Sequence, residues 1–194
     1  WLRSYLSDRT QRVVLNGRHS AWTAVRSGVP EGSLLGPLLF ACFVADIPDI
    51  VKTGCLIYAD DVKLFHRVES VDDVNLLQAD LDRLCNWSKT WKLKLNPLKC
   101  QTITFTLRTS PIASTYSLDG HQLDRCREVR DLGVILDEKL TFAQQVDSTV
   151  RKCNRMLGLL MRSVQLPRCH RQAKFNHKAL LAAYNAHIRS IMEY

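Results

Sequence analysis

The chain has 194 residues, 46% of them hydrophobic, which is enough apolar material for a folded domain and argues against a disordered chain. Its formal net charge is +8. The seven cysteines are odd in number and include no CxxC pair, which favours reduced thiols in a reducing compartment over disulfides or zinc. The longest apolar run, residues 34–45, excludes a membrane span, because a span needs about 20 residues.

The N-terminal region predicts a β-hairpin and a loop. Residues 12–15 and 18–25 flank Asn16-Gly17, a pair that supplies the positive φ angles of a tight type I′ turn. Residues 27–35 are punctuated by glycine and proline and predict a loop. Because the chain starts at Trp1 in a helical pattern, and residues 188–194 also keep such a pattern, we expect both ends to interrupt longer structure.

Two further elements follow the loop. Pro37 is expected to open a helix to about Ala45 that is apolar on all sides and is therefore predicted to be buried. Residues 55–59 and 62–65 are strand-like runs on either side of Asp60-Asp61. This arrangement predicts a hairpin with two adjacent carboxylates at its tip.

A long amphipathic helix is predicted next. Ser70 with Asp73 has the spacing of a capping box, and Asn96-Pro97 is expected to end the helix. Its apolar positions recur at intervals of three and four: Val74, Leu77, Leu81, Leu84, Trp87 and Trp91. The two tryptophans share this apolar face, which favours core packing over base stacking.

The second half of the chain predicts short strands and then helices. Residues 102–107 are β-rich, Asp119-Gly120 marks a second small hairpin, and residues 134–136 form a strand. Thr141 with Gln144 signals a helix start. Its apolar stripe is Phe142, Val146, Val150, Cys153, Leu157 and Leu160, and that of a last helix is Leu180, Leu181, Tyr184, Ile188 and Ile191. The pattern predicts an α+β domain followed by a basic helical part, with a seam near residues 139–141.

Charge is unevenly placed along the chain. Residues 46–82 carry nine acids and three bases, whereas residues 141–194 carry nine Lys or Arg and two acids. A basic block suits a phosphate backbone, and an acidic block suits a divalent cation. A solvated helix face remains the alternative for each block taken singly.

The adjacent carboxylates are chemically informative. Asp60 and Asp61 repel each other when close and prefer solvent or a shared cation. A turn relaxes the strict alternation of strand side chains, so one acid is able to face a metal while the other supports it. A plain surface turn is the alternative, since Asp-Asp pairs are common there.

The order of motifs gives the pair a context. YADD at residues 58–61 follows SGVPEGSLLGPLLF at residues 27–40 and precedes two tryptophans, LKLNPLKC at residues 93–100 and DLGV at residues 131–134. This set resembles the reverse transcriptases of non-LTR (LINE-like) retrotransposons, particularly the jockey-like elements of arthropods. The resemblance covers nearly the whole chain, and the SGVP-GS-LGPLLF string is its most specific part.

The resemblance implies a polymerase palm over residues 1–140 and the start of a helical thumb over residues 141–194. It implies that Asp60 and Asp61 are the catalytic carboxylates that hold Mg²⁺, with Mn²⁺ as a substitute. The residues expected near the incoming nucleotide, template base and primer end are Tyr58, Gly28, Pro30, Glu31, Gly32, Ser33 and Lys99. Those expected to contact nucleic acid are Leu132 and Gly133, in a turn on the primer strand, and Arg151, Lys152 and Arg155, in the thumb.

The resemblance also implies the partners and the place of action. An RNA template, a DNA primer and deoxynucleoside triphosphates are expected, with no membrane association, and the oligomeric state stays open. The family primes on nicked chromosomal DNA, so we expect action in the nucleus after cytoplasmic ribonucleoprotein assembly.

Two departures from the family pattern bear on activity. The family's first metal-binding aspartate lies upstream of the segment that begins here at Trp1, so the chain alone is expected to lack polymerase activity. Glu31 stands where the family usually has glutamine, and an ionised carboxylate only accepts hydrogen bonds, whereas an amide also donates. A catalytically inactive remnant that binds nucleic acid is therefore the alternative interpretation.

Overall fold

The computed structural model of the chain describes residues 1–165 and 177–193. The chain divides into two compact units: unit 1 holds Trp1–Pro97 and Ile112–Gln122, and unit 2 holds Leu98–Pro111 and the described residues from Leu123 onward. The predicted seam at residues 139–141 falls inside unit 2, and the division into palm and thumb stays a prediction. Residues 166–176 and 194 of the predicted basic part lie outside the described residues, and Arg168, Cys169, Arg171 and Lys174 are among them.

Short strands and helices follow one another in separate runs, as expected for an α+β chain. In order they are α1 (Leu2–Leu6), β1 (Arg9–Gln11), β2 (Val14–Leu15), β3 (Arg18–His19), β4 (Thr23–Val25), α2 (Leu35–Val44), α3 (Ile47–Ile50), β5 (Gly54–Tyr58), β6 (Asp61–Phe65) and α4 (Val71–Trp91). A 3₁₀ turn (Pro97–Lys99) leads to β7 (Gln101–Thr102), β8 (Ser117–Leu118), β9 (His121–Gln122), β10 (Asp124–Arg125), β11 (Glu128–Asp131), β12 (Val134–Asp137) and α5 (Ala143–Gln165). Helix α6 (His177–Tyr184) continues through a π-helical turn (Asn185–Arg189) into α7 (Ser190–Glu193).

Strand pairing within the described residues is local and mostly antiparallel. β1 pairs with β4, β2 with β3, β5 with β6, β8 with β9 and β11 with β12, all antiparallel, while β7 and β10 pair in parallel. The prediction of small antiparallel hairpins is therefore confirmed. No helix in this part of the chain combines the length and the apolar character that crossing a bilayer would require.

Three hairpins turn on two residues that both have positive φ. The turns are Asn16-Gly17 (φ 49° and 75°), Asp119-Gly120 (50° and 79°) and Leu132-Gly133 (45° and 91°). Two positive φ angles are the signature of a type I′ turn, whose twist matches that of the flanking strands. The predicted hairpins around Asn16 and Asp119 are confirmed, and Leu132 and Gly133 do form a turn, as the resemblance implied.

Helix α4 organises the core of unit 1. Ser70 caps it in a reciprocal box with Asp73, as predicted, and left-handed Lys92 (φ 57°) ends it. The helix therefore stops at Trp91, five residues before the predicted Asn96. Four buried side chains from α2, α3 and α4 form the centre of the core: Val44, Ile47, Leu84 and Trp87.

The two tryptophans of α4 differ in environment. Trp87 is buried, and its indole N–H donates to both carboxylate oxygens of Asp46 at 3.0 Å, which ties α4 to the start of α3. Trp91 is 51% exposed and packs edge-on against Phe43. Core packing is thus confirmed for Trp87 and holds only in part for Trp91.

The β8–β9 hairpin is attached to α4 by polar contacts. The Gln78 amide donates to the backbone carbonyl of Ser117 and accepts from its N–H, both at 2.9 Å. Lys89 pairs with Asp119 at 2.7 Å, which raises the pKa of the lysine and lowers that of the aspartate. Residues 112–122 therefore belong to unit 1 although they follow part of unit 2 in the sequence.

Helix α2 corrects the prediction of a buried helix. It begins at Leu35, and only Gly36 and Val44 are buried, whereas Leu38 is 59% exposed. The sequence is apolar on every side, but only the side that carries Val44 packs against the α3–α4 core. An all-round apolar pattern shows that a helix can be buried and does not supply a partner for each face.

The start of α5 differs from the predicted Thr141–Gln144 box. Asp137 accepts hydrogen bonds from the backbone N–H groups of Lys139, Thr141 and Phe142 and from the Thr141 hydroxyl, at 2.9–3.1 Å. These contacts, the one with the Thr141 N–H foremost, lower the pKa of Asp137. Gln144 instead donates to Glu128. Asp137 therefore accepts the Thr141 N–H, which the predicted box assigned to the Gln144 side chain.

The apolar stripes of the last helices are covered only in part. In α5, Cys153 is buried and Leu160 is partly buried, but the other predicted stripe residues are exposed: Phe142, Val146, Val150 and Leu157. The side chain of Gln145 accepts a hydrogen bond from the Ile135 N–H, so the face of α5 that carries Gln145 lies towards β12. In the C-terminal helices Ile188 is buried as predicted, whereas Leu181 is exposed.

Only the start of the β-rich run at residues 102–107 is a strand. Thr102 belongs to β7, and residues 103–107 form no regular element. None of the six cysteines that the structure describes forms a disulfide, and Cys85 and Cys153 are buried.

Candidate active site

The β5–β6 hairpin places the two adjacent carboxylates. Tyr58 pairs with Asp61, so Ala59 and Asp60 alone form the turn. Asp60 therefore lies at the tip, as predicted, whereas Asp61 is already the first residue of β6. Ala59 has a φ of 52°, a left-handed conformation that is uncommon for a residue with a Cβ. Such strain is often found at functional sites.

The hairpin has one core face and one outer face. Directly paired residues of an antiparallel sheet share a face, so Ile57 lies with Val62, and both belong to the core. Tyr58 and Asp61 share the opposite face and are both exposed. The register therefore projects Asp61 away from the core beside the phenol ring expected near the primer end.

The acids are open to solvent and carry no ion pair within the described residues. Asp60 and Asp61 are both exposed, and none of the salt bridges in this part of the chain includes either of them. Nor do residues 1–165 and 177–193 bring three metal-ligating side chains together at any place. Carboxylate oxygens suit a hard divalent cation, but two of them supply fewer than the six or more oxygens that such a cation takes.

Buried Asp80 anchors the chain just before β5. This residue of α4 has no exposed surface and accepts the backbone N–H groups of Lys52 (2.9 Å) and Thr53 (2.7 Å) and the guanidinium of Arg83. Burial raises the pKa of Asp80, but the hydrogen bonds outweigh it and leave the pKa below its ordinary value. The hairpin is thus fixed to α4 at the end opposite its carboxylates.

Asp80 was not among the residues predicted from the sequence, although its position carried a signal. It lies between Leu77, Leu81 and Leu84 on the apolar face of the helix, at their spacing of three and four. A carboxylate at such a position must be buried with partners or forced out of the core.

Backbone conformation shapes the loop between β4 and α2. Gly28 (φ 76°) and Gly32 (φ 72°) are both left-handed, which glycine adopts without strain. The Ser33 hydroxyl donates to the Pro30 carbonyl at 2.7 Å and accepts the Gly36 N–H at 3.0 Å. The loop residues that the resemblance singled out therefore do shape it. Contact with a nucleotide stays a prediction, as it does for exposed Glu31.

Two residues that hold this loop were not predicted. Arg9 donates to the carbonyls of Ser27 (3.2 Å) and Gly28 (2.6 Å). A Cβ at Gly36 would lie 2.9 Å from the Ser33 hydroxyl and 3.2 Å from the Pro30 carbonyl, so only glycine fits there. The sequence around Arg9 carries no signal for this role, because its partners are backbone carbonyls 18 and 19 residues away.

The remaining predicted site residues belong to unit 2. Lys99 ends the 3₁₀ turn and is exposed, and Leu132-Gly133 is the β11–β12 turn. Arg151, Lys152 and Arg155 are exposed on α5, where Arg151 lies 3.7 Å from Asp147. Unit 1 therefore contains both the Asp60–Asp61 hairpin and the glycine loop, whereas Lys99, the Leu132-Gly133 turn and the three cations of α5 belong to unit 2.

Comparison with known proteins gives the class that these motifs define. The family described as reverse transcriptase (RNA-dependent DNA polymerase) matches residues 1–136, and the chain belongs to this family. The matching relatives come from non-LTR elements, which confirms the resemblance drawn from the motifs. No solved structure matches the chain.

The relatives are considerably longer. The chain is 38% identical over 162 residues to the probable RNA-directed DNA polymerase from transposon BS of Drosophila melanogaster, covering 78% of this chain and 18% of that protein. It is 32% identical over 154 residues to the RNA-directed DNA polymerase from mobile element jockey of the same species, covering 75% and 17%. The chain thus spans about a fifth of the length of these relatives.

Proposed function

We propose that the chain is part of an RNA-directed DNA polymerase that extends a DNA primer on an RNA template with deoxynucleoside triphosphates. One observation carries the proposal: the exposed Asp60–Asp61 pair at the end of a hairpin whose other end is fixed to the core. Family membership supports it. The coupling of a rigid base to an exposed tip suits a site that must present two carboxylates at fixed positions.

The donor set fits a divalent cation, Mg²⁺ or Mn²⁺. When bound, such cations neutralise charge on the attacking and leaving oxygens of phosphoryl transfer. Asp60 and Asp61 would hold them, and a further carboxylate would come from the upstream segment that the family carries. Their exposure leaves carboxylate oxygens available for this role.

The other residues take roles in binding and positioning. The glycines of the 27–35 loop let the backbone approach a base or a phosphate closely. Lys99 is proposed to give a proton to the departing pyrophosphate, and Leu132-Gly133 to position the primer strand. The exposed cations Arg151, Lys152 and Arg155 are proposed to hold the duplex through its phosphates, whatever its sequence. We place this activity in the nucleus, on chromosomal DNA.

Primer extension on a primed RNA template tests the proposal. With Mg²⁺ or Mn²⁺ the chain alone is expected to add no nucleotides, whereas a longer chain with the upstream segment should add them. Asp60→Asn in the longer chain should lower the rate at least about a thousandfold, because several kcal/mol of charge stabilisation is lost. Asp82→Asn, an exposed carboxylate of α4, is the matched control and should leave the rate unchanged.

Glu31 favours a second candidate, an inactive remnant that binds nucleic acid. Its carboxylate adds negative charge to the loop proposed to lie near a triphosphate. Glu31→Gln in the longer chain should lower KM for the nucleotide. Absence of extension by the longer chain with either residue at this position, together with retained nucleic-acid binding, would support the remnant.

A further inference from the structure

The β1–β4 hairpin has an irregularity that shapes its surface. Gln11 pairs with Thr23, and Val14 pairs with His19. Between these two pairs, residues 12–13 lie opposite residues 20–22. The extra residue on the second side defines a β-bulge. The Ser20 hydroxyl accepts the Val13 N–H at 2.9 Å and holds the bulge closed.

The bulge is accompanied by a stacked pair on the surface. The Arg12 guanidinium lies over the Trp22 ring, 4.6 Å from its centroid. Trp22 nevertheless keeps 62% of its surface exposed, and Arg12 is exposed too. If the pair served only to brace the hairpin, the indole would be expected to bury most of its surface against the protein. Bulges re-aim side chains next to binding sites, and this one presents a cation and an aromatic ring together.

The charge of the segment indicates what the pair would meet. No acidic residue occurs between Asp8 and Glu31, whereas four arginines do: Arg9, Arg12, Arg18 and Arg26. Arg9 is engaged with the backbone carbonyls of the glycine loop. Arg18 is exposed near the hairpin tip. A cationic strip beside an exposed indole is complementary to a polyanion that also offers flat rings.

We propose that this hairpin binds single-stranded RNA, with a base stacked on the Arg12–Trp22 pair and a phosphate on Arg18. The inference rests on the proposed function, in which that strand is the RNA template. Base pairing would hide the ring faces, so the hairpin discriminates a single strand from a duplex. Every base can stack on an aromatic ring, so the hairpin would bind a template strand of any sequence.

Binding of a fluorescein-labelled 12-nucleotide oligouridylate to the 194-residue chain, followed by anisotropy with a metal chelator present, tests the inference. Trp22→Leu is expected to weaken binding about five- to fiftyfold, in keeping with the loss of one stacked base. Arg18→Gln should weaken it less and lower the slope of log K against log salt by about 0.7. Trp22→Phe keeps a ring and should restore most of the affinity.

Matched controls separate stacking from general effects. Trp1→Leu removes another exposed tryptophan, and Arg67→Gln removes an exposed arginine outside the hairpin; both should bind within twofold of the parent chain. Circular dichroism establishes that each variant is folded. The inference is overturned if the parent chain does not bind, if Trp22→Leu binds like Trp1→Leu, or if Trp22→Leu weakens binding of a duplex of the same length as much as binding of the single strand.

The readout is independent of polymerisation. Loss of oligouridylate binding in Trp22→Leu would support the inference even if the longer chain added no nucleotides. Conversely, extension that depends on Asp60, with unchanged binding in Trp22→Leu, would overturn the inference and leave the proposed function in place.

Discussion

Among single residues, Asp80 is expected to contribute most to the stability of unit 1. Asp80→Asn removes the charge that two backbone N–H groups and Arg83 share, and leaves donors facing an amide nitrogen. Breaking a buried pair from one side costs about 3–5 kcal/mol of unfolding free energy. Urea unfolding followed by tryptophan fluorescence measures it, since all four tryptophans lie in unit 1.

Exposed Asp82, two residues further along α4, is the control for this change, and Asp82→Asn should cost about 0.5 kcal/mol or less. Because the pKa of Asp80 is lowered in the fold, its contribution is fully present above the unfolded value, about 3.9, and is lost as the pH falls below it. Equal midpoints for the two variants would contradict the role given to Asp80.

Ala59 should be the one position of the carboxylate turn where glycine stabilises. A left-handed residue with a Cβ costs about 1–2 kcal/mol, whereas glycine adds about 0.4–1 kcal/mol of entropy cost through the unfolded chain. Ala59→Gly is therefore expected to raise the unfolding free energy by up to about 1 kcal/mol. Ala79→Gly inside α4 should lower it by about as much. Chemical denaturation measures the unfolding free energy of both variants. A lower unfolding free energy in both would argue against a strained turn.

At the scale of an element, the capping of α4 predicts that the helicity of the chain depends on pH. Hydrogen bonds from the Glu69 N–H first, then from the Ser70 hydroxyl and N–H, lower the pKa of Asp73 to about 2. A lowered pKa stabilises the helix at pH values above the unfolded pKa, so helicity should hold above about pH 4 and decline towards pH 2. Circular dichroism at 222 nm should show this decline weakened in Asp73→Asn and retained in Asp72→Asn. A decline of equal size in both variants would contradict it.

The elements also show how far the sequence determines the fold. Asn16-Gly17 and Asp119-Gly120 were predictable because a turn type depends on two residues alone, and the Ser70–Asp73 box because its partners lie within one helical turn. The start of α5 was not, because Asp137 lies outside the window in which Thr141 and Gln144 were compared. Burial of α2 was mispredicted for a related reason, since a residue pattern describes a surface and not what packs against it.

The same distinction holds for the candidate site. The Asp60–Asp61 turn and the glycine loop were found because their chemistry is local and forms a specific string. Arg9 and Asp80 hold those segments in place through hydrogen bonds with backbone groups 18–28 residues away. The residues next to them in the sequence do not indicate these partners.

For the whole molecule, the uneven charge predicts how nucleic-acid binding responds to salt. Replacing Arg151, Lys152 and Arg155 by glutamine should lower the slope of log K against log salt by about 2–3 for a duplex, because each cation neutralises about one phosphate. A titration from about 50 to 200 mM salt measures this. Arg67→Gln, in the acidic part of the chain, should leave the slope unchanged. If the triple variant of α5 had the same slope as Arg67→Gln, α5 would not be part of the surface that binds the duplex.

The contact between Gln78 and Ser117 has a consequence for how the molecule avoids sticking to itself. The Gln78 carboxamide donates to the carbonyl and accepts the N–H of the same residue, as the backbone of a neighbouring strand would. The edge of β8 at Ser117 is therefore already hydrogen-bonded. A foreign extended segment would have to displace the carboxamide before attaching there. The Gln78 side chain thus occupies backbone groups of Ser117 that another chain would need for strand pairing.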